Sequence, residues 1–237
     1  MEHRIAKLKT DLPIIPLIEI PYIDRKFITT LDPFAVGDYN ANVRAMGITY
    51  AHPEDYTPIT FRSAATDESV AIVCYMFRDE KTFDFRRRFF DSSALHAGRI
   101  ILTQDGVWTN FPAQFDEATM KRLLTDDRKV NGIYLLDGNT AFVPNGFKTG
   151  EQDCKEFLEG GLARAVEHTY AKKAINLQAF VNKKSYPRGV YVMGFEPVSG
   201  SVERVLSLVS GGYFDDEGLI IDCDWNDRNG CAFGVLK

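Results

Sequence analysis

The sequence predicts an α+β protein whose mostly antiparallel sheet is packed by one long helix, at about residues 150–173, and by one or two shorter helices. Two hairpin signals and one long amphipathic segment are the basis of this prediction. The hairpin turns fall at Asp105 and Gly106 and at residues 137–139, each between strand-like runs. Because strands and helices alternate irregularly, the pattern argues against a doubly wound parallel sheet.

The composition is that of an ordinary globular protein. The 237 residues include 45% hydrophobic and 26% charged residues, and the formal net charge is -5. An acidic chain has no general attraction for nucleic-acid backbones, so nucleic-acid binding is not expected. No window approaches the roughly 18 apolar residues of a membrane helix, and prolines interrupt the apolar N-terminal segment, which lacks the layout of a signal peptide. We therefore expect a cytoplasmic protein without membrane association.

The first 23 residues are expected to form an extended N-terminal arm, and residues 24–237 a single α+β domain. Three prolines interrupt the arm, and because proline has no amide hydrogen the segment fits neither a helix nor a central strand. Its apolar side chains need to be buried against the protein's own core or against a neighbouring subunit. The candidate interaction residues are Ile14, Ile15, Leu17, Ile18 and Ile20.

Strands are expected at residues 46–50, 57–62 and 69–77. The third segment is rich in β-branched and aromatic residues, as buried strands are, and residues 64–68 form the turn before it. Further along the chain, Asp116 is expected to cap a short helix. The run of arginines at 86–88 is interpreted as a solvated face whose charge nearby carboxylates offset.

The long helix is predicted from its start signal and its periodicity. Thr149 and Gln152 have the spacing of a capping box, and apolar residues recur at steps of three and four from Cys154 onward. Gly160 and Gly161 fall inside this segment, where each costs about 1 kcal/mol relative to alanine. Gly161 is interpreted as a close backbone approach, with a break in the helix as the alternative. Strands are expected after it, at 175–181, 189–198 and 202–209.

The last segment is expected to form a hairpin with a loop at residues 225–229, because this register gathers its apolar residues on one face. The opposed pairs would be Leu219 with Val235, Ile221 with Phe233, and Cys223 with Cys231. Asp222 and Asp224 then share the other face. They are interpreted either as a solvated acidic face that keeps the hairpin soluble or as ligands of a divalent cation.

One local resemblance supports the metal hypothesis. Gly211 and Gly212, followed after nine residues by the aspartates of residues 222–224, resemble the GG…DxD pattern of nucleotidyltransferases. In that family the paired aspartates hold Mg²⁺ for phosphoryl transfer. The metal ligands proposed on this basis are Asp222 and Asp224, with Asp215 or Asp216 as a further ligand.

No complete catalytic motif accompanies these features. The chain has no nucleophile elbow, P-loop, dinucleotide-binding glycine motif or zinc-protease helix. Its histidines, which occur in no recognisable motif, are His3, His52, His96 and His168. The expected function is therefore non-enzymatic and without a cofactor: self-association or binding of a protein partner, as in a viral, phage or accessory component. The alternative is a Mg²⁺- or Mn²⁺-dependent phosphoryl or nucleotidyl transferase that uses the C-terminal carboxylates.

Overall fold

The computed structural model describes residues 11–22, 25–78, 94–136, 140–183, 189–210, 219–223 and 230–237. The protein belongs to the α+β class, as predicted, and its main feature is a large, mostly antiparallel sheet. Within the described ranges, every helix is too short or too polar to cross a membrane.

Seventeen strands and six α-helices are formed in the described part of the chain. The strands are β1 (Leu17–Tyr22), β2 (Arg25–Thr30), β3 (Phe34–Gly37), β4 (Tyr50–Ala51), β5 (Pro58–Ile59), β6 (Phe61–Ser63), β7 (Ala94–Leu102), β8 (Gly106–Thr109), β9 (Lys129–Val130), β10 (Ile133–Leu136), β11 (Thr140–Pro144), β12 (Gly150–Gln152), β13 (Val190–Met193), β14 (Val202–Ser210), β15 (Leu219–Asp222), β16 (Gly230–Ala232) and β17 (Gly234–Leu236). The helices are α1 (Tyr39–Met46), α2 (Thr66–Arg78), α3 (Glu117–Arg122), α4 (Cys154–Glu159), α5 (Gly161–Glu167) and α6 (Ile175–Lys183).

The larger sheet has eleven strands. Nine of them lie in the order β12, β13, β15, β14, β7, β8, β11, β10 and β9, and β16 joins β7 and carries β3. Its pairings are antiparallel apart from β13 with β15 and β16 with β7. A second, antiparallel sheet has the order β1, β2, β17, β6, and β4 pairs with β5 in a small hairpin.

Helix α2 is packed between elements of both sheets. Ile72 and Met76 have no exposed surface, and the main core around them contains Ile20 from β1 and Leu95 from β7. Residues 69–77 were predicted as a strand, and that prediction is wrong. A helix that is buried on every side shows no polar face, so its sequence lacks the 3.6-residue period that distinguishes it from a buried strand.

The predicted long helix at 150–173 is also wrong. The segment forms β12, then α4, then α5, and the start signal at Thr149 is replaced by Asp153, whose carboxylate accepts from the amide of Glu156 at 2.9 Å. Gly160 interrupts the helix because its backbone is extended, with φ −75° and ψ 157°. Gly161 nevertheless makes a close approach, since an added Cβ would lie 3.2 Å from Val143.

Residues 175–181, predicted as a strand, lie in α6. The side chain of Glu167 accepts hydrogen bonds from the amides of Ile175, Asn176 and Leu177, at 3.0 to 3.2 Å. These amides are ones that the first turn of a helix leaves without intrahelical partners. A carboxylate on the preceding helix therefore caps the start of α6. Because this carboxylate lies outside residues 175–181, the sequence of that segment alone does not indicate a helix.

The C-terminal hairpin does not form as predicted. β15 lies between β13 and β14, whereas β16 pairs with β3 and β7, and β17 lies between β2 and β6. Every residue of β15 is buried, so alternation along the strand does not identify a solvent face. The apolar residues of these segments are therefore buried among strands other than the predicted hairpin partners.

Several local predictions are confirmed. The turn at Asp105 and Gly106 joins β7 to β8, and β10 pairs with β11 in a hairpin whose tip, residues 137–139, lies outside the described residues. Asp116 caps α3 through the amide of Thr119 at 3.0 Å. Strands were also correctly expected near 189–198 and 202–209. The arginine run at 86–88 lies outside the described residues.

Candidate functional site: a cleft at the start of helix α2

A cleft of about 610 Å³ opens at the N-terminal end of α2. Its walls come from β6, the first turn of α2, Arg99 on β7 and the segment after β8. Its lining includes Tyr39, Arg62, Ser63, Thr66, Asp67, Glu68, Arg99, Asn110 and Phe111. Charged, polar and aromatic groups therefore converge in one concave site, as they do in small-molecule sites.

Asp67 places a buried carboxyl on the wall of the cleft, since only 4% of the residue is exposed. The Tyr22 hydroxyl donates to its Oδ2, and the Asn110 amide donates to its Oδ1 at 2.8 Å. Burial raises the pKa of this carboxyl, and the charge of Glu68 adds to the rise, while the Tyr22 bond and His168 oppose it. The neutral acid is thus favoured more strongly than for an aspartic acid in water.

Asn110 connects Asp67 to the helix start. Its Oδ1 accepts the amide hydrogen of Thr66 at 2.7 Å, and its backbone carbonyl accepts from the hydroxyl of Thr140 at 3.0 Å. The residue has φ 50°, in the left-handed region where residues other than glycine are uncommon. One side chain therefore caps α2 and orients the Asp67 carboxyl, from a backbone conformation that asparagine tolerates better than most residues.

Glu68 and Arg62 fix the first turn of α2 against β6. Arg62 donates to both carboxylate oxygens of Glu68, at 2.6 and 2.7 Å, and the amide of Ala65 donates to the same carboxylate at 2.9 Å. The bond to Glu68 raises the pKa of Arg62. Bidentate pairs of this kind are geometrically specific, so both side chains present defined surfaces to the cleft.

His168 lies close to Asp67 without lining the cleft. It ends α5 with φ 53°, and neither ring nitrogen has a hydrogen-bond partner among the described residues. Burial lowers its pKa, and the charge of Asp67 opposes that effect. Burial therefore favours the neutral forms of His168 and Asp67, whereas the electrostatic attraction between the two side chains favours their charged forms.

The lining of the cleft also carries hydroxyls and a guanidinium. The hydroxyl oxygens of Tyr39 and Ser63 are 3.0 Å apart, and Arg99 is ion-paired with Glu203. Burial raises the pKa of Tyr39, whereas the Ser63 bond and the charge of Arg99 lower it. Arg99 is therefore near enough to Tyr39 to influence its hydroxyl.

Of the four proposed metal ligands, only Asp222 lies in the described part of the chain. Asp215, Asp216 and Asp224 lie outside it, and the described residues contain no group of three potential ligands. Asp222 is fully buried, where a solvated acidic face was expected. The hypothesis of a magnesium or manganese site stays a prediction.

Asp222 belongs to a buried polar row on the sheet. Ser207 of β14 is the middle residue of this row. Asp222 of β15 is its cross-strand partner on one side, and His96 of β7 is its partner on the other. All three are almost completely buried, and the described residues offer no hydrogen-bond partner to the Ser207 hydroxyl or to either nitrogen of His96. This row lies outside the lining of the cleft.

The candidate interaction residues of the N-terminal segment have different environments. Ile20 is buried in the main core, and Ile18 packs against it. Ile15 and Leu17 pack against a smaller cluster around Phe34 and Phe61. Ile14 is 53% exposed and forms an isolated bridge to Ala51 of β4.

Sequence reasoning missed the cleft. Residues 64–68 were interpreted as a turn, although acidic residues before an apolar run are also typical of a helix start. Tyr22 and Asn110 are 45 and 43 residues from Asp67, so no local spacing joins them. Comparison with protein-family models, with curated proteins and with solved structures found no match.

Proposed function

We propose that the protein is an enzyme that binds a small polar molecule in the cleft at the start of α2 and transfers a proton through Asp67. The observation that carries this proposal is an almost fully buried carboxyl, with a raised pKa, on the wall of a cleft. A carboxyl whose pKa lies nearer to neutrality is a better proton donor and acceptor at physiological pH.

The chemistry uses groups that already contact Asp67. The neutral acid donates its proton to a basic atom of the ligand and becomes a carboxylate, which the Tyr22 hydroxyl and the Asn110 amide stabilise by hydrogen bonds. In the reverse direction the carboxylate takes the proton back. His168 acts electrostatically, because its protonation would favour the ionised form of Asp67.

Deuterium uptake tests this function without knowledge of the substrate. The full chain is incubated in D2O with a defined mixture of small carboxylic acids, amino acids and sugar phosphates, and products are followed by mass spectrometry. We expect the wild type to convert or deuterate at least one compound, Asp67→Asn to lose this activity by about 100-fold or more, and Asp127→Asn, a change at an exposed aspartate, to match the wild type. No reaction by the wild type, or equal rates in Asp67→Asn, would contradict the proposal.

A second candidate function is protein–protein association, which the sequence favoured. Three large apolar side chains near the β4–β5 hairpin are about half exposed: Ile14, Ile48 and Tyr56. Apolar groups gathered in this way are typical of contact surfaces.

Light scattering across a range of concentrations tests the association. If Ile14 contributes to such a contact, Ile14→Asp lowers the mass of the wild-type assembly, while Ile175→Asp, at an exposed position on α6, does not. A wild type that is monomeric at every concentration would exclude self-association, and an unchanged mass in Ile14→Asp would exclude this surface. Removing residues up to Tyr22 is a poorer test because it deletes β1, whose Ile20 is buried.

A further inference from the structure

The lining of the cleft contains two chemically different groups of residues, and this difference limits the ligands that fit it. Asp67 and its hydrogen-bond donor Asn110 form one group, which suits a hydrogen-bonding or basic atom. Arg99 and the paired hydroxyls of Tyr39 and Ser63 form the other. A guanidinium and two hydroxyls supply several hydrogen-bond donors, which suit an oxyanion.

The charges of the cleft point to Arg99 as the group that binds an anion. Arg62, the other cationic side chain of the lining in the described residues, is already held by both oxygens of Glu68. Arg99 is instead paired with Glu203, which is not part of the lining, and the two side chains are 53% and 42% exposed. Exposed ion pairs are weak because water screens them, so a ligand anion can compete with Glu203 for the guanidinium.

The hydroxyl pair adds directional donors to the guanidinium of Arg99. Tyr39 is buried, its hydroxyl lies 3.0 Å from that of Ser63, and Arg99 influences it electrostatically. Either hydroxyl can rotate its hydrogen toward an incoming oxygen. The Phe111 ring, also in the lining, offers an apolar face for the body of the ligand.

We propose that Arg99, with the hydroxyls of Tyr39 and Ser63, binds a carboxylate or phosphate group of the ligand whose other end meets Asp67. This inference deepens the proposed function and rests on it for the assignment of Asp67. It defines the substrate class as small anionic molecules that also carry a proton-exchanging atom.

The test is an NMR titration of the full-length protein with inorganic phosphate and, separately, with acetate, at ionic strength held constant with chloride. We expect at least one of the two anions to saturate and to shift amide signals around Arg99 and Ser63. Arg99→Gln should weaken that binding at least about fivefold, since it removes the charged donor group. Arg122→Gln, at an exposed arginine outside the cleft, is the matched control and should bind as the wild type does.

Glu203→Gln sharpens the test. It removes the competing carboxylate, so affinity for the anion should rise by about threefold, consistent with the small strength of an exposed ion pair. Glu151→Gln, another exposed carboxylate, should have no such effect. The inference is overturned if neither anion saturates, if Arg99→Gln binds as well as the wild type, or if Glu151→Gln raises affinity as much as Glu203→Gln.

Asp67→Asn separates this inference from the proposed function. We expect it to bind the anion within about twofold of the wild type while losing deuterium transfer, since Asp67 is not among the proposed hydrogen-bond donors to the anion. Anion binding through Arg99 with normal deuterium transfer in Asp67→Asn would remove the proton-transfer proposal and leave the anion site. Loss of transfer in Asp67→Asn without any Arg99-dependent anion binding would remove the anion site and leave the proton-transfer proposal.

Discussion

A carboxylic acid removed from water prefers its neutral form, and Asp67 shows how the surrounding residues moderate that preference. Tyr22 and Asn110 donate to its two oxygens and so retain some stability for the carboxylate. Burial is nevertheless the largest influence and raises the pKa. Asp67 is therefore costly to ionise in the native state, which is common for groups kept for activity.

Asp67→Asn is expected to stabilise the protein at alkaline pH. Because the native pKa is raised, Asp67 contributes its stability below the unfolded-state pKa and loses it as pH rises through the native pKa. An amide is neutral at every pH, so the free energy of unfolding of the variant at pH 8 should exceed that of the wild type by about 1 kcal/mol. This difference should vanish in acid. Urea unfolding at several pH values measures it; a destabilised variant at pH 8 would instead assign the carboxylate a structural role.

His96 gives a pH dependence of the opposite sign. Burial lowers its pKa, with Asp38 opposing, so its neutral form contributes stability above pH 6.5 that is lost as pH falls through the native pKa. His96→Leu cannot titrate at this position. The stability of the variant relative to the wild type should therefore increase between pH 8 and pH 5, as measured by thermal unfolding. A difference that stays constant with pH would show that His96 does not titrate in this range.

At the scale of elements, the start of α2 is built from three strands. β6 supplies Arg62, the residue after β8 supplies Asn110, and β7 supplies Gly98. Gly98 has φ +135° and lies directly against Thr66, so the helix backbone approaches β7 where a side chain would not fit. The position of Asp67 therefore depends on contacts made by several elements.

Gly98→Ala is expected to be strongly destabilising. The added Cβ would lie 2.6 Å from the Thr66 hydroxyl and 3.0 Å from its amide nitrogen, and the residue would keep a positive φ. We expect a loss of more than about 2 kcal/mol in chemical unfolding, from clash and backbone strain together. Gly200→Ala shares the positive φ but has nothing within 4 Å, so it should lose only about 1 kcal/mol. Equal losses in both variants would refute the close contact.

The elements that the sequence predicted correctly are those with local signals. The turn at Asp105 and Gly106 and the cap at Asp116 depend on residues within a few positions, and both are confirmed. α2 was mistaken for a strand because burial on all sides removes the 3.6-residue hydrophobic period from its sequence. α6 was mistaken for a strand because its start depends on the carboxylate of Glu167, which lies outside the segment. A break in the helix was proposed from the sequence only as the alternative interpretation of Gly161, whereas the extended backbone that makes the break is that of Gly160.

The candidate site was less predictable than the fold because its contacts are nonlocal. Tyr22, Asp67 and Asn110 come from β1, α2 and the end of β8, and no spacing in the sequence indicates that they meet. The metal hypothesis for the C-terminal aspartates was based on a local sequence pattern. Which strands surround Asp222 depends on pairings of β15 with β13 and β14 that alternation does not encode.

At the scale of the molecule, β17 pairs residues near the C-terminus with strands from the N-terminal part of the sequence. It lies between β2 and β6, and its Gly234 carbonyl accepts a hydrogen bond from the Thr29 hydroxyl at 2.9 Å. β17 therefore supports β6, which carries Arg62 to the cleft. The integrity of the cleft should depend on a strand that lies more than 150 residues from α2 in sequence.

Val235→Asp tests this dependence, because Val235 is buried in the main core. An unpaired charge there should cost more than about 3 kcal/mol in urea unfolding. Lys237→Asp, at an exposed position two residues later, should change stability by less than about 0.5 kcal/mol. Similar stabilities for the two variants would mean that β17 is not held in the four-stranded sheet.

Asp67 is a buried carboxyl on the wall of an open cleft, and the proposed chemistry depends on the proton affinity of that group. Carbon-13 NMR of the side-chain carboxyl of Asp67, followed across pH in the full-length protein, measures this affinity directly. We expect a titration midpoint clearly above the ordinary value of 3.8 for aspartic acid. A midpoint at or below 3.8 would show that Asp67 is an ordinary ionised carboxylate and would contradict its role in proton transfer.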